Sequence, residues 1–408
     1  MAPPLLAETK PSATRQFLAF LLNLALGLFL VDAAVSVLDD SAALCFDLHA
    51  LLLLRLIIGL FAVLLAILVY LLMGLTPAIP KSIFGPLALF YLASQLIILP
   101  LVLIYFHQSQ RLAWFASLSQ LAFGLGMVFY ARHNLKLAWP LMPLERLGSL
   151  RFTWRNFFGF FAANIFILLP LVLIYLFLCF AGLVSHFTEG FMTLHPSGFT
   201  MQAKKYVRAD GKTIQLFPMA HVADGNFYEE ISQTFPTNSL ILMEGVTDEK
   251  KLLHQKINYQ KMARSLGLSE QHEKFAPTRG EIVPADIDVS EFSTNTLALL
   301  NVIFRIHGGN LDADTIQKMM QLEAPDLPDQ LLNDLLRKRN KHLLEQIQLH
   351  LPKTEHIVLP WGVAHMPELA RELQKVGFHP TETNDYVVIR FHGSGNSTVE
   401  KSKPAEKK

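Results

Sequence analysis

"VLPWGVAHMPEL", Val358–Leu369, decides how the second half of this 408-residue chain is read. An apolar strand-like run stops at Gly362, presents His365 and restarts at once as a helix, with Pro367 suited to the first helical turn. Two readings compete for the histidine. It caps a turn, or it is a ligand or acid–base group at the mouth of an α/β fold.

The surrounding sequence repeats the arrangement. "TIQLFPMAH" (Thr213–His221) is a short apolar strand that also ends on histidine. "DGNFYEEISQTF" follows, with Phe227, Ile231 and Phe235 at helical spacing, and "NSLILMEG" (Asn238–Gly245) is a second buried strand ending on Glu244. Such β–α–β units cross over right-handed and lay their strands parallel. Parallel strands share one carboxyl edge, where open α/β sheets bind ligands. His221 and Glu244 are therefore expected as neighbours, with His365 arriving at the same edge from the strand His356–His365. The helix Met366–Val376 ends at Gly377, a left-handed cap, and "DYVVIRF" (Asp385–Phe391) closes as another strand. Helices are expected over Ser293–His307, Ala313–Glu323 and Asp329–Leu351. In the last of these Leu332, Leu336, Leu343 and Ile347 form a stripe, and Asn340 falls on its missing beat. A buried amide without a partner costs about 1–3 kcal/mol, so Asn340 should have a specific bond. Arg339 beside it could reach the same sheet edge; a solvated basic face is the competing reading.

Two histidines and a glutamate on converging strand ends would make a three-ligand metal site with an open position for water. Such a metal lowers the pKa of its water and supplies a hydrolytic nucleophile. No HExxH, GxSxG or Cys/His cluster is present. His254, His272 and His307 lie on polar or loop segments and read as surface residues; "DIDVSEF" (Asp286–Phe292) suggests a carboxylate pair, and its simplest reading is a loop and helix cap before Ser293. The two cysteines, Cys45 and Cys179, fall in or beside apolar runs, so the second half holds no disulfide.

Before about residue 186 the chain is dominated by apolar runs. Spanning hydrocarbon takes about 20 apolar residues. Five stretches qualify: Phe17–Leu38, Ala50–Leu75, Ile83–Phe106, Leu112–Ala131 and Phe157–Leu183. The first reads as a retained helix and not as a signal peptide. Lys10, Arg15, Lys81, Arg132, Lys136, Arg146, Arg151 and Arg155 flank one side, whereas Asp39, Asp40 and Asp47 follow the first span on the other. Positive loops stay cytoplasmic, which puts the second half outside. No run of buried charges marks a transport path, and structural anchoring is the reading for these spans. The expected organisation is a transmembrane domain over 1–186, an α/β domain with a mostly parallel sheet and two strand–xxH–helix modules over 187–392, and a disordered basic tail over 393–408. A net charge of +1 gives no case for a nucleic-acid partner.

Taken in order, strand–xxAH with FYEEI, strand–LMEG, "SLGLSEQ", "DIDVSEF", "RN" and "GVAHMPEL…LQKVGF" resemble the TraB/PrgY/GumN family, which includes the TIKI membrane-tethered metalloproteases. The resemblance covers about Thr188–Phe391. It implies a fold similar to the erythromycin esterase and ChaN-like proteins, with two GxxH-type motifs. The second maps to Gly362–His365; the first maps to Pro218–His221, with proline where glycine is usual. It implies a divalent metal (Mn, Co or Zn) on His221, Glu244 and His365, with the Arg-Asn pair at Arg339 and Asn340 as catalytic residues. Arg339, oriented with Asn340, is the expected oxyanion or substrate-carboxylate contact. The expectation is a metal-dependent peptidase anchored in the lipid bilayer of a bacterial inner membrane, acting on a peptide or protein at its outer face. The alternative is a non-catalytic peptide- or pheromone-binding or shutdown protein. Oligomeric state is not fixed by these signals.

Overall fold

The protein is described here by a computed structural model covering residues 12–132, 137–254, 259–307, 312–321 and 326–391. Lys10, Lys136, Glu323, the His307 side chain and the 393–408 tail lie outside the described residues. The chain divides into two compact units, Met1–Cys179 and Phe180–Lys408.

Five helices are long and apolar enough to cross a membrane: α1 (Ala13–Phe46), α2 (Leu52–Leu75), α3 (Lys81–Ile104), α4 (Phe106–Arg132) and α5 (Trp154–Phe187), the last continuing into the second unit. Apolar side chains such as Leu22, Leu26, Phe29, Met73 and Phe84 form the interior of the first unit. The first span departs from expectation. It runs on past Leu38 to Phe46, so Asp39 and Asp40 lie inside a helix, 0% and 1% exposed, and not in an outer loop. Buried carboxylates need partners, and these have them. Arg55 Nη1 lies 2.6 Å from Asp40 Oδ1, Ser117 donates to Asp40 at 2.5 Å, and Leu51 N donates to Asp39 at 2.8 Å. Further along α1, Gln120 donates to Asp32 at 2.7 Å, and the Asn23 amide bonds the Met142 backbone in both directions. Buried polar groups therefore recur along α1, and they bond the helices to one another.

The second unit is built on β1 (Met192–His195), β2 (Gly198–Val207), β3 (Thr213–Met219), β4 (Val222–Ala223), β5 (Ser239–Met243), β6 (Ser269–Glu270), β7 (Glu281–Pro284), β8 (His356–Gly362) and β9 (His379–Arg390). Its main sheet has the order β1-β2-β3-β8-β5-β7, with β9 also paired to β2. The sheet is mixed. β3–β8, β8–β5 and β5–β7 are parallel, whereas β1–β2, β2–β3 and β2–β9 are antiparallel. The closing strand, expected over Asp385–Phe391, is longer and belongs to the antiparallel part. Around the sheet lie α6 (Gly225–Thr234), α7 (Thr294–His307), α8 (Lys338–His350) and α9 (Met366–Lys375). The helix expected over Asp329–Leu351 is α8 preceded by Leu327–Leu332 and a π-helical stretch, Asn333–Arg337. Gly377, at φ +87°, is the left-handed cap expected after α9.

The central parallel strands β3, β8 and β5 are apolar on both faces, as strands covered by helices must be. Ile214, Leu216, Leu242, Ile357, Leu359 and Trp361 are buried against Leu343, Leu369 and Leu373 of α8 and α9. Trp361 locks two strands together, because its indole N–H donates to Leu242 O at 2.9 Å. Trp361→Phe strips that buried carbonyl of its donor, an expected loss of about 1–3 kcal/mol. Hydrogen-exchange mass spectrometry should show faster opening of β8 and β5 amides, with the apolar helices of the first unit unchanged.

Candidate functional site

The strand order sets which carboxyl-edge residues meet. β8 lies between β3 and β5, so two spacings of about 4.8 Å separate the strands that carry His221 and Glu244. The neighbourhood expected for these two is not formed. His221 is exposed, its ring stacked on Tyr259 at 5.4 Å between centroids, and its carbonyl accepts from Gln271 N. Pro218, in place of the usual glycine, sits in regular register opposite Trp361. His365 follows β8 instead and lands beside Glu244, with Nε2 3.6 Å from Oε1.

Arg339 ties these ends together. Its Nη2 donates to Glu244 Oε1 at 2.7 Å and to Asp286 Oδ2 at 2.6 Å, and its Nε donates to Asp286 Oδ1 at 3.0 Å. Nη1 donates to Leu335 O and stands 3.3 Å from His365 Nε2. A guanidinium has five N–H donors, and all five have acceptors here, so none remains for the oxyanion role expected of Arg339. The cluster is closed to water: side-chain exposure is 12% for Arg339, 13% for Glu244, 0% for Asp286 and 4% for His365.

Asn340, one residue along α8 and so rotated about 100° from Arg339, is buried and bonded at both ends of its amide. Nδ2 donates to Glu368 at 2.5 Å, and Oδ1 faces His365 Nδ1 at 2.6 Å. With its nitrogen committed to a carboxylate, Asn340 presents only an acceptor to the ring. Nδ1 must therefore carry the proton, and the lone pair of a neutral imidazole is left on Nε2. The result is a relay, Glu368–Asn340–His365, whose free end points at Arg339 and Glu244.

Two members of this network, Asp286 and Glu368, are absent from the sequence expectations. Within "DIDVSEF" only Asp288 is the expected cap, accepting from Ser290 N and Thr247 Oγ1. Asp286 follows β7, and the carboxyl-edge argument applied to a third parallel strand would have found it. Glu368 lies three residues after His365, on the same face of a turn.

Burial pushes the Glu244 carboxyl up, but His365 in its protonated form, the Arg339 guanidinium and the Gly362 amide outweigh it and hold the group down at about 2. Gly362 N donates to Glu244 Oε2 at 2.5 Å.

These residues do not fit the three-ligand metal centre expected of them. His221 lies elsewhere, the Glu244 oxygens are taken by Arg339 and Gly362, and the His365 Nε2 lone pair faces a guanidinium. Among the described residues no three His, Cys, Asp or Glu side chains converge closely enough to hold a metal ion. Beside the relay runs a groove of ≈ 820 Å³, lined by Leu332, Leu336, Ala364, Pro367, Glu368 and Arg371 among others. Compared with known protein families, with curated proteins and with solved structures, the chain matches none.

A carboxyl whose folded pKa lies below its unfolded value adds stability above the unfolded value and loses it as pH falls towards the folded one. For Glu244 that window runs from 4.5 down to about 2. Thermal melts across pH should show wild type exceeding Glu244→Gln most clearly above pH 4.5, with the gap closing as pH falls through the window.

Proposed function

We propose that the chain is a membrane-anchored hydrolase of peptide bonds, with its reaction centre at the carboxyl edge of β3, β8 and β5. The observation that carries this reading is the relay. A half-buried carboxylate, a buried amide and a buried imidazole in series fix one tautomer and aim one lone pair, which is what a general base requires. In this reading His365 Nε2 takes a proton from the attacking water and later returns it to the leaving amine. Asn340 and Glu368 hold the ring. Glu244, ionised and within 3.6 Å, stabilises the imidazolium that forms in between. Arg339 acts through Glu244 by keeping it charged and in place; it is a positioning residue. The groove beside Glu368 falls in the size range of small-ligand pockets and is open enough for an extended peptide. No step is routed through a metal.

The likeness to the TraB/PrgY/GumN family supports peptide-bond hydrolysis as the activity but not the metal-free route, and the proposal takes the second unit to be a member's catalytic domain. A second reading, a peptide-binding protein without turnover, is favoured by one observation: every donor of Arg339 is already satisfied and His365 is 4% exposed, so catalysis requires this closed cluster to open. Lipid is the proposed partner of the five apolar helices. The loop charges support placing the second unit on the outer face of a bacterial inner membrane.

The test is hydrolysis of a quenched-fluorescent peptide library by the reconstituted chain. His365→Ala should lower turnover about 10²–10⁴-fold, the range for loss of a general base. Saturable peptide binding by wild type with no turnover would instead establish the second reading. Sidedness has its own test. With Cys45 and Cys179 replaced by Ser, a Ser397→Cys chain should be labelled by an impermeant thiol reagent in intact cells; labelling only after lysis would place the unit in the cytoplasm.

A further inference from the structure

The resemblance calls for a cation between Glu244 and His365, and one is already there. It is covalently part of the chain. Three donors meet Arg339 from three different strand ends: Glu244 after β5 at 2.7 Å, Asp286 after β7 at 2.6 Å, and His365 Nε2 after β8 at 3.3 Å. Two carboxylates and an imidazole nitrogen are the donor set from which divalent sites are commonly made. Here they are spread around the rim of one flat group, Glu244 on Nη2, Asp286 on Nη2 and Nε, and His365 against Nη1. That spread is why they do not converge on a single point at the 2.0–2.2 Å a metal requires.

We infer that Glu244, Asp286 and His365 form a cation site whose resident is the Arg339 guanidinium, and that arginine and a divalent metal are mutually exclusive occupants of it. Charge decides the exclusion. With both carboxylates ionised and Arg339 in place, the cluster carries −1. A dication added beside the guanidinium would bring like charges within a few ångströms in a site of low exposure, where repulsion is poorly screened. Removing Arg339 leaves two buried carboxylates uncompensated, and an unpaired buried charge is strongly unfavourable. A divalent ion is then the simplest replacement, drawing the three donors inward by roughly an ångström to reach metal-ligand distances. His221, stacked on Tyr259, has no part in this site.

This assignment concerns occupancy and stands whether or not the chain hydrolyses anything. The experiment uses the full chain in detergent, stripped with chelator, exposed to Mn²⁺, Co²⁺ or Zn²⁺ and desalted, with metal counted per chain by elemental analysis. Glu244→Gln should match wild type in metal content, because wild type binds none at this cluster. Arg339→Ala should gain about one equivalent and melt at a higher temperature with metal than without, as for any ligand that binds only the folded state. Adding Asp286→Asn to Arg339→Ala should remove that gain. Arg339→His, which refills the space, is neutral at pH 8 and adds a donor, is the second variant should Arg339→Ala not fold; it too should acquire one metal. The inference is overturned if wild type carries a stoichiometric metal that Glu244→Gln or His365→Ala loses. It is equally overturned if folded Arg339→Ala or Arg339→His stays metal-free.

Discussion

Everything at the carboxyl edge of the second unit depends on one ion-pair arrangement, the guanidinium of Arg339 held between Glu244 and Asp286. Bringing two carboxylates to the ends of adjacent parallel strands creates repulsion in a place nearly closed to water, where it is expensive. A single flat cation bonded to both removes that repulsion and fixes the spacing of β5 and β7 at their ends. Its remaining edge then sets what His365 meets. Nη1 at 3.3 Å stands against the Nε2 lone pair, so the histidine is oriented from one side by Arg339 and from the other by Asn340. Arginine suits this role where lysine would not, because only a planar fork can serve two carboxylates and an imidazole at once.

Periodicity and strand endings in the sequence carry much of this, and the reason they stop short is topological. The residues that end β5 and β8, and the adjacent Arg339 and Asn340 on an amphipathic helix, can be read from spacing alone. The order of strands across the sheet cannot. Consecutive strands usually pair, so β3 and β5 are the natural neighbours; β8 enters between them from more than a hundred residues away. That one insertion separates His221 from Glu244 and leaves His365 beside it. Asp286 was obscured for a related reason. β7 is only four residues long, and a strand that short has too little alternation to announce itself, so its terminal carboxylate looks like part of a loop. Glu368 was hidden in plain chemistry, since an acidic residue in the first turn of a helix is ordinary. Only the buried amide of Asn340 between it and His365 gives it a further role.

The apolar half shows the limit of a composition argument in the other direction. Window hydropathy finds five spans because their length and apolar content are unmistakable. It places the end of α1 too early, because Asp39 and Asp40 look like loop residues to any scale that scores residues singly. They remain helical and buried because Arg55 and Ser117 answer them across the bundle, an effect between helices that no window along one helix can contain.

The two units therefore solve one electrostatic problem with the same parts. In each, a pair of buried carboxylates shares one arginine and one histidine: Asp39 and Asp40 with Arg55 and His49, Glu244 and Asp286 with Arg339 and His365. What separates them is how far the rest of the chain covers the cations. Side-chain exposure reaches 46% for His49 and 28% for Arg55, against 4% for His365 and 12% for Arg339. Where the cations are left partly uncovered, the arrangement serves to fasten helices. Where the chain covers them, two carboxylates and a guanidinium interact with little screening, every donor must be matched, and the geometry of one residue dictates the protonation of the next. Closure is thus what turns a fastening into a candidate reaction centre. It also makes opening the step on which any chemistry at His365 depends, because a base already in contact with a guanidinium must give up that contact to accept a proton.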